Sequence, residues 1–426
     1  MWNRILPLFL LILFIILFLR YSYNPPNEEV ADVRWVNTIE EVKSREYFDF
    51  YRSERDKEFK DKEIPIAKSV SLLTAYEFDN EFSIVHINAQ ITGAPLWCRY
   101  FSENLTEISP PIETFTFPIY LVNCPRVNGT ARISLSVSKN GSYDYPIQLI
   151  NRYGIPQKHE LSMCMSPIYG KEPKWLLLSE LVEHYKLQGV TKFYFYVYQI
   201  DEYSRAMLED YERTGEVNVV NLLERYDREL LHWQIVAFRD CQLRARFESR
   251  WVLFSDLDER IIMTGYNGTI LNYMHSLKNP DKIGAVIFRP RWILKTEIMP
   301  EKYIDSSHLL KWMPTLRWHN TSSFGPPGHT VKTIADPRKV YEAWTHYPRI
   351  YYPGQHITHD VNPEDGIVRH YRDQQMWNWG KTWLNEVLSF GPLSLTSYPE
   401  PYQSKLTENV KKRVEYVYSN YRMRLE

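Results

Sequence analysis

The chain has 426 residues, 44% hydrophobic and 24% charged, the balance of an ordinary globular protein with two or three folded units and a sizeable core. Lys and Arg total 51 against 52 Asp and Glu, a net charge of −1 that excludes the basic excess needed to grip nucleic-acid phosphates. With 16 Gly and 26 Pro the chain is neither collagenous nor of low complexity, while aromatics at 15% supply core and rings able to stack on sugar faces.

Ile5 to Leu19 is an unbroken apolar run flanked by Arg4 and Arg20. As a helix it reaches only ~22 Å against ~30 Å of hydrocarbon. The stretch from Trp2 to Tyr23, with both arginines snorkelling to headgroups, spans ~33 Å. No small-x-small cleavage site follows Leu19, so an uncleaved transmembrane signal-anchor over residues 5–23 is expected, with residues 1–4 as a short cytoplasmic tail. The arginines bracket the run and leave orientation open. Five N-x-[ST] sequons, at Asn104, Asn128, Asn140, Asn267 and Asn320, all follow it and favour a lumenal body.

Four cysteines, Cys98, Cys124, Cys164 and Cys241, lack the C-x-x-C spacing of a zinc cluster, and in an oxidising lumen their even number permits two disulfides. Cys98 and Cys124 share one β-rich stretch and are expected to pair, with Cys164 and Cys241 as a second bridge.

Residues 24–69, polar and charged after Pro25-Pro26, read as a partly helical stem. Residues 70–156 alternate with period 2, as in Ser83-Ile-Val-His-Ile and Ala131-Arg-Ile-Ser-Leu-Ser-Val, and Asn140-Gly141 is a hairpin signal. A small antiparallel β-sandwich is expected there. Residues 157–426 change to an α/β pattern. A strand at Leu161 precedes a helix from Trp175 to Lys186, a strand from Val190 and a helix from Asp201 to Thr214. Val217-Asn-Val-Val, a long helix from His232 to Glu248 and a strand from Trp251 follow. That alternation predicts a parallel sheet of the nucleotide-binding type. The final third, rich in Trp, Tyr, Pro and His, reads as loop-heavy.

The sharpest chemical signal is Trp251-Val-Leu-Phe-Ser-Asp-Leu-Asp-Glu259. An apolar strand delivers Asp256 and Asp258 to its carboxyl end, where ligands sit in open α/β sheets. At i and i+2 of an extended chain the two carboxylates face one side and Leu257 the other, packed side. Two hard oxygen donors beside an open pocket suit Mn²⁺ or Mg²⁺ shared with a substrate diphosphate, whose charge such an ion neutralises as a nucleoside diphosphate leaves.

From Glu160 to Tyr371 the chain resembles glycosyltransferase family 92, through pieces that occur in order. They are Cys164-Met-Ser-Pro-Ile-Tyr-Gly170, Gln234 with Arg239-Asp240-Cys241, Phe254-Ser-Asp-Leu-Asp-Glu259, Lys332-Thr-Ile-Ala-Asp-Pro-Arg-Lys-Val340 followed by His346, and Arg369-His-Tyr-Arg372. The Lys332 block departs from the family pattern in carrying Ala335-Asp336-Pro337 where an Arg-Pro pair is usual. The resemblance implies a single-pass type II Golgi membrane enzyme with a GT-A catalytic domain. It implies inverting transfer of galactose from UDP-galactose to a glycan acceptor on a glycoprotein, in a β-linkage; characterised animal relatives modify fucose of the N-glycan core. It implies Asp256 and Asp258 as ligands of Mn²⁺ and contacts of the diphosphate, and His370 as third ligand or diphosphate contact, with His346 as a second candidate. Lys332 would neutralise leaving-group phosphate, Gln234 and Asp240 would contact uridine or ribose, and Arg369 and Arg372 are further substrate-binding candidates.

An inverting transfer needs a carboxylate to take the acceptor hydroxyl proton. Glu364 and Asp365, in a loop near His370, are candidates, as are Asp305 and Glu259. The alternative reading is a catalytically inactive lumenal protein that binds glycans as a lectin does; an intact Asp256-Leu-Asp258 with His370 speaks against it. A two-metal hydrolase would need closely spaced His and Asp ligands, and the sequence has no such cluster.

Overall fold

The computed structural model describes residues 46–86, 92–223, 229–375 and 378–425. The expected anchor over 5–23 lies outside these residues, as does the first part of the stem. Among the described residues no helix is long and apolar enough to cross a membrane.

Seven strands form the first sheet: β1 (Leu72–Glu77), β2 (Glu81–His86), β3 (Pro95–Phe101), β4 (Ile112–Phe115), β5 (Leu121–Pro125), β6 (Arg132–Ser136) and β7 (Ile147–Asn151). Their spatial order is β4-β3-β6-β7-β1-β2-β5, antiparallel throughout except for β1 beside β7. The two edge strands meet, because Thr114 Oγ1 on β4 donates to Asn123 O on β5 at 2.7 Å. β7 pairs with β6 through Ile147 and Gln148 and with β1 through Leu149 to Asn151, so the strands fold into two layers joined at β7. Ile84, Leu96, Tyr100 and Leu135 fill the interior between them, as the expected sandwich requires. Cys98 on β3 bridges to Cys124 on β5 across that interior, with Cα atoms 6.0 Å apart.

The second unit has β8 (His159–Met165), β9 (Lys192–Val197), β10 (Val217–Asn221) and β11 (Ser249–Ser255), all parallel. They are linked by the helices Trp175–Leu187, Glu202–Arg213 and Leu230–Ala245, close to the expected alternation. β11 lies on the opposite side of β8 from β9, so the winding reverses between β8 and β11, and a crevice opens at their carboxyl ends. Cys164 on β8 is bridged to Cys241 on the helix Leu230–Ala245, Cα to Cα 5.9 Å, the second expected pair.

From Glu259 to the end the chain is rich in strands, contrary to the loop-heavy reading of the final third. It holds β12 (Glu259–Met263), β13 (Ile283–Phe288), β14 (Pro290–Lys295), β15 (Asn320–Thr321), β16 (Lys332–Ala335), β17 (Val340–Ala343), β18 (Pro348–Tyr351), β19 (Ile357–Asp360), β20 (Gly366–Asp373) and β21 (Ser394–Leu395). β16, β13 and β19 extend the parallel sheet in that order, while β12-β20-β14-β15-β21 form another sheet beside it. Most of these strands are short, and several are buried on both faces, so the alternation that marks a half-exposed strand is missing. The closing helix Glu400–Leu425 buries Leu406, Val410, Val414 and Val417, one helical stripe, against Trp175–Leu187.

Part of the expected stem is docked on the body. Residues 46–58 are helical, and Tyr51, 1% exposed, donates to Glu81 of β2 at 2.6 Å and stacks on Tyr341 of β17 with ring centroids 4.8 Å apart.

Candidate active site at the carboxyl edge of the parallel sheet

β11 delivers Asp256 to the crevice, but the chain turns there. Glu259 N–H donates to Asp256 O at 3.2 Å and β12 begins at once, so a turn rather than one strand face brings Asp256 and Asp258 together. Leu257 packs against the main core, as expected, and also contributes to the lining of the cavity beside the two acids.

Each acid has cationic company. Asp256 accepts from Gln234 Nε2 at 2.9 Å and from Lys332 Nζ at 2.8 Å. Lys332 also pairs with Glu259 at 2.9 Å, and Glu259 accepts from the Asp256 N–H at 2.9 Å. Asp258 lies 3.4 Å from His370 Nε2 and 3.4 Å from Arg372, both on β20. Burial pushes the Asp256 carboxyl up, but Lys332 outweighs it and holds the group below its usual value. At Asp258 burial is likewise overcome, by His370 and then Arg372, leaving that carboxyl well below the carboxylate range. Glu259, 2% exposed, is raised by burial despite Lys332. His370 is raised because Asp258 and Glu259 together outweigh the burial that disfavours its charge.

A cavity of about 490 Å³ opens over this turn, a volume in the range of small-ligand sites. One wall is the segment after β8, including Ser166 and Tyr169; the other comes from the ends of β14 and β20, with Lys295, Tyr371, Arg372 and Asp373. Burial pushes the Tyr169 hydroxyl up to about 12, with Asp258 and Asp256 adding to the shift, so it stays a neutral donor. Ser166 and Tyr169 lie in the Cys164–Gly170 piece of the resemblance but were assigned no role there, and Lys295 and Asp373 were not singled out; the position of the first two just after the carboxyl end of β8 is the signal that marks them.

Among the described residues no three His, Cys, Asp or Glu side chains are already gathered as a metal cage. The donors present fit a partial one: Asp258, and His370 Nε2, which is buried, makes no hydrogen bond and points at Asp258. Two such ligands leave most of an octahedral shell to diphosphate oxygens and water.

Several expected site residues lie elsewhere. Asp240 is fully buried and away from the cavity, where it accepts from Tyr76 and Tyr196 hydroxyls at 2.6 Å each, from Thr74, and from Arg244 at 3.0 Å. It shares a helix with Gln234, but six residues at ~100° each leave the two side chains ~120° apart, so both cannot face one pocket. Lys332 is 1% exposed and holds Asp256 and Glu259 rather than reaching the cavity toward a phosphate. Arg369, 1% exposed, points away from His370 and Arg372, clamps Thr396 and Ser397 and does not line the cavity. Glu364 and Asp365 precede β20 at its far end; Gly366 pairs with Met263, while His370 pairs with Glu259. That separates Asp365 from His370 by ~17 Å of strand, and neither acid lines the cavity. Asp305 caps the helix Ser306–Trp312 by accepting from His308 N–H at 2.8 Å and does not line the cavity. His346 sits behind Lys332, where burial and then the lysine lower its pKa to about 4, and it too is outside the cavity.

The model of glycosyltransferase family 92 matches residues 159–406. A Caenorhabditis elegans protein named beta-1,4-galactosyltransferase galt-1 is 24% identical over 223 residues, 51% of this chain and 49% of that one. Glycosyltransferase family 92 protein F13G3.3 of the same organism is 23% identical over 241 residues, 52% and 45% of the two chains. The chain thus spans about half the length of these curated relatives. Among solved structures, mannosyltransferase PcManGT from Pyrobaculum calidifontis, in complex with GDP-Man and Mn²⁺, is 10% identical over 62% of this chain and 76% of its own, at a TM-score of 0.27. The match over residues 159–406 takes in β8, the Asp256-Leu257-Asp258 turn, Lys332 and His370, and on it the chain belongs to glycosyltransferase family 92.

Proposed function

We propose that the chain is a GT-A-type, divalent-metal-dependent transferase that moves galactose from UDP-galactose to a hydroxyl of a glycoprotein glycan with inversion. Residues 5–23 would hold it in the Golgi membrane with the body lumenal. One observation carries the reading: the Asp256-Leu257-Asp258 turn opens into the cavity where the winding of the parallel sheet reverses. Bound there, a Mn²⁺ or Mg²⁺ ion held by Asp258 and His370, with Asp256 behind them, would neutralise charge on a departing diphosphate. Gln234 and Lys332 fix the Asp256 carboxylate from both sides. Arg372, beside Asp258 at the cavity wall, adds positive charge where the leaving group gains negative charge. Ile168, Leu257 and Met299 give the cavity an apolar lining that excludes water from a reactive glycosyl centre. The name of one relative makes UDP-galactose the first donor to try.

The test is a UDP-sugar panel offered to the purified full chain with glycoprotein acceptors, with and without Mn²⁺. Transfer from UDP-galactose that EDTA removes is the expected result. Metal-independent transfer, or transfer from another UDP-sugar alone, would contradict the metal or the donor; absence of any transfer would favour a glycan-binding protein.

A further inference from the structure

With Glu364, Asp365 and Asp305 placed away from the cavity and Glu259 tied to Lys332, the base must come from the acids that line it: Glu172, Asp256, Asp258 and Asp373. Asp256 and Asp258 are engaged with Lys332, His370 and Arg372 at the diphosphate end. Glu172 has a half-exposed side chain and folds back on Lys174 of its own loop at 2.9 Å.

Asp373 stands differently. It ends β20 directly opposite Lys295 on β14, and the two side chains pair at 3.1 Å, with Asp373 18% and Lys295 7% exposed. Asp373 Oδ1 also accepts from the Gln375 N–H at 2.9 Å, so a lysine and a backbone amide together fix the plane of the carboxylate. Both Asp373 and Lys295 line the cavity. Tyr371 N–H donates to Asp258 O at 2.8 Å, and Asp373 lies two residues farther along the strand, ~7 Å from that point, on the side of β20 that carries Tyr371, itself a lining residue of the cavity. In an inverting displacement the nucleophile enters on the face of the sugar opposite the leaving group. The base must therefore sit beyond the sugar from the diphosphate, and this offset leaves room for a ring between.

Resting on the transferase reading above, we propose that Asp373 is the general base of the transfer and that Lys295 is its positioning residue. The acceptor oxygen forms its bond to the anomeric carbon as its proton passes to the Asp373 carboxylate. The bond from the anomeric carbon to the diphosphate oxygen breaks, its electron pair leaves with UDP, and the protonated Asp373 returns the proton to solvent.

The experiment compares the full chain with its variants, using UDP-galactose, Mn²⁺ and an acceptor, with UDP binding and thermal melting measured alongside. Asp373→Asn is expected to lower kcat by about 10²–10⁴-fold, the usual yield of general base catalysis, while donor KM and UDP affinity hold within about threefold. Lys295→Met should lower kcat with donor KM unchanged, and Lys295→Arg should restore most of it. If Asp373→Asn does not fold, because Lys295 is left unpaired, the neutral Lys295→Met/Asp373→Asn double variant takes its place and is expected to fold and be as slow. A folded Asp373→Asn or double variant with kcat within about threefold of wild type overturns the assignment, as does a general-base loss at Glu172→Gln in its stead. Wild type that transfers from no UDP-sugar overturns the transferase reading and the base with it. Active wild type beside an active Asp373→Asn overturns the base alone.

Discussion

Replacing Asp240 by Asn tests whether this buried acid serves the fold or the donor. The carboxylate is 0% exposed. Its Oδ1 receives Thr74 and Tyr76 hydroxyls from β1, and its Oδ2 receives Tyr196 and Arg244. Asn keeps one accepting oxygen and turns the other position into a donor. Arg244 cannot accept, so the amide nitrogen must take the Oδ1 place, and the Thr74 and Tyr76 hydroxyls must reverse to accept from it. The hydrogen bonds survive in number, but the negative charge opposite a largely buried guanidinium is gone. Removing one partner of a buried ion pair costs ~3–5 kcal/mol, and retained neutral bonds place this variant near the lower end, about 3 kcal/mol. The assay is urea unfolding of wild type and Asp240→Asn, with UDP affinity measured where both are folded. Lower stability with unchanged UDP affinity is expected. A loss under ~1 kcal/mol together with about tenfold weaker UDP binding would refute the structural role and restore Asp240 as a donor contact.

The same carboxylate carries a pH signature. Burial raises the Asp240 pKa, but Arg244 and the three hydroxyls overcome it, so the folded value lies below the unfolded one. Its contribution is then complete above the unfolded carboxyl value of ~3.9 and is lost as pH falls toward the folded value, so Asp240→Asn should flatten the acid limb of a stability-pH curve. Asp258→Asn should abolish transfer in a protein that still folds, with some loss of stability because His370 and Arg372 lose their partner; near-normal turnover would sink the metal-site reading. Leu257→Val should cost on the order of 1 kcal/mol in stability, read by urea unfolding, with transfer retained. Lys332→Met leaves Asp256 without its lysine and Glu259 with only His370 nearby, and should destabilise by ~3 kcal/mol; a variant as stable as wild type would show the lysine to be dispensable. Asn104, Asn128, Asn140, Asn267 and Asn320 are all exposed, so endoglycosidase should shift the gel mobility of protein expressed in a glycosylating cell, and an unshifted band would count against a lumenal body.

What could be read from the linear chain was whatever local periodicity encodes. Strand-helix alternation from β8 to β11 came from apolar runs separated by amphipathic stretches, because parallel strands buried on both faces need helical crossovers. The Cys98–Cys124 pairing and the placing of Asp256 at a strand end followed from the same kind of signal, and Cys164–Cys241 was the pair that remained. The stripe of Leu406, Val410, Val414 and Val417 was equally legible and passed unread amid aromatic and charged neighbours.

Tertiary structure decided the partners. Lys332 reaches Asp256 across 76 residues of sequence because β16 runs antiparallel beside β11, and no spacing within either strand announces that register. His370 and Arg372 face the acids while Arg369 faces away because β20 pairs with β12 in one register; a slip of one residue would exchange them. Glu364 and Asp365 looked close to His370 in sequence, yet an extended strand turns a few residues into ~17 Å. Asp240 and Gln234 shared a motif and parted on the helix. A sequence fixes which side chains a strand or helix presents on each face, but the meeting of faces depends on long-range packing, and in this protein the charge balance of the site is made entirely by such meetings.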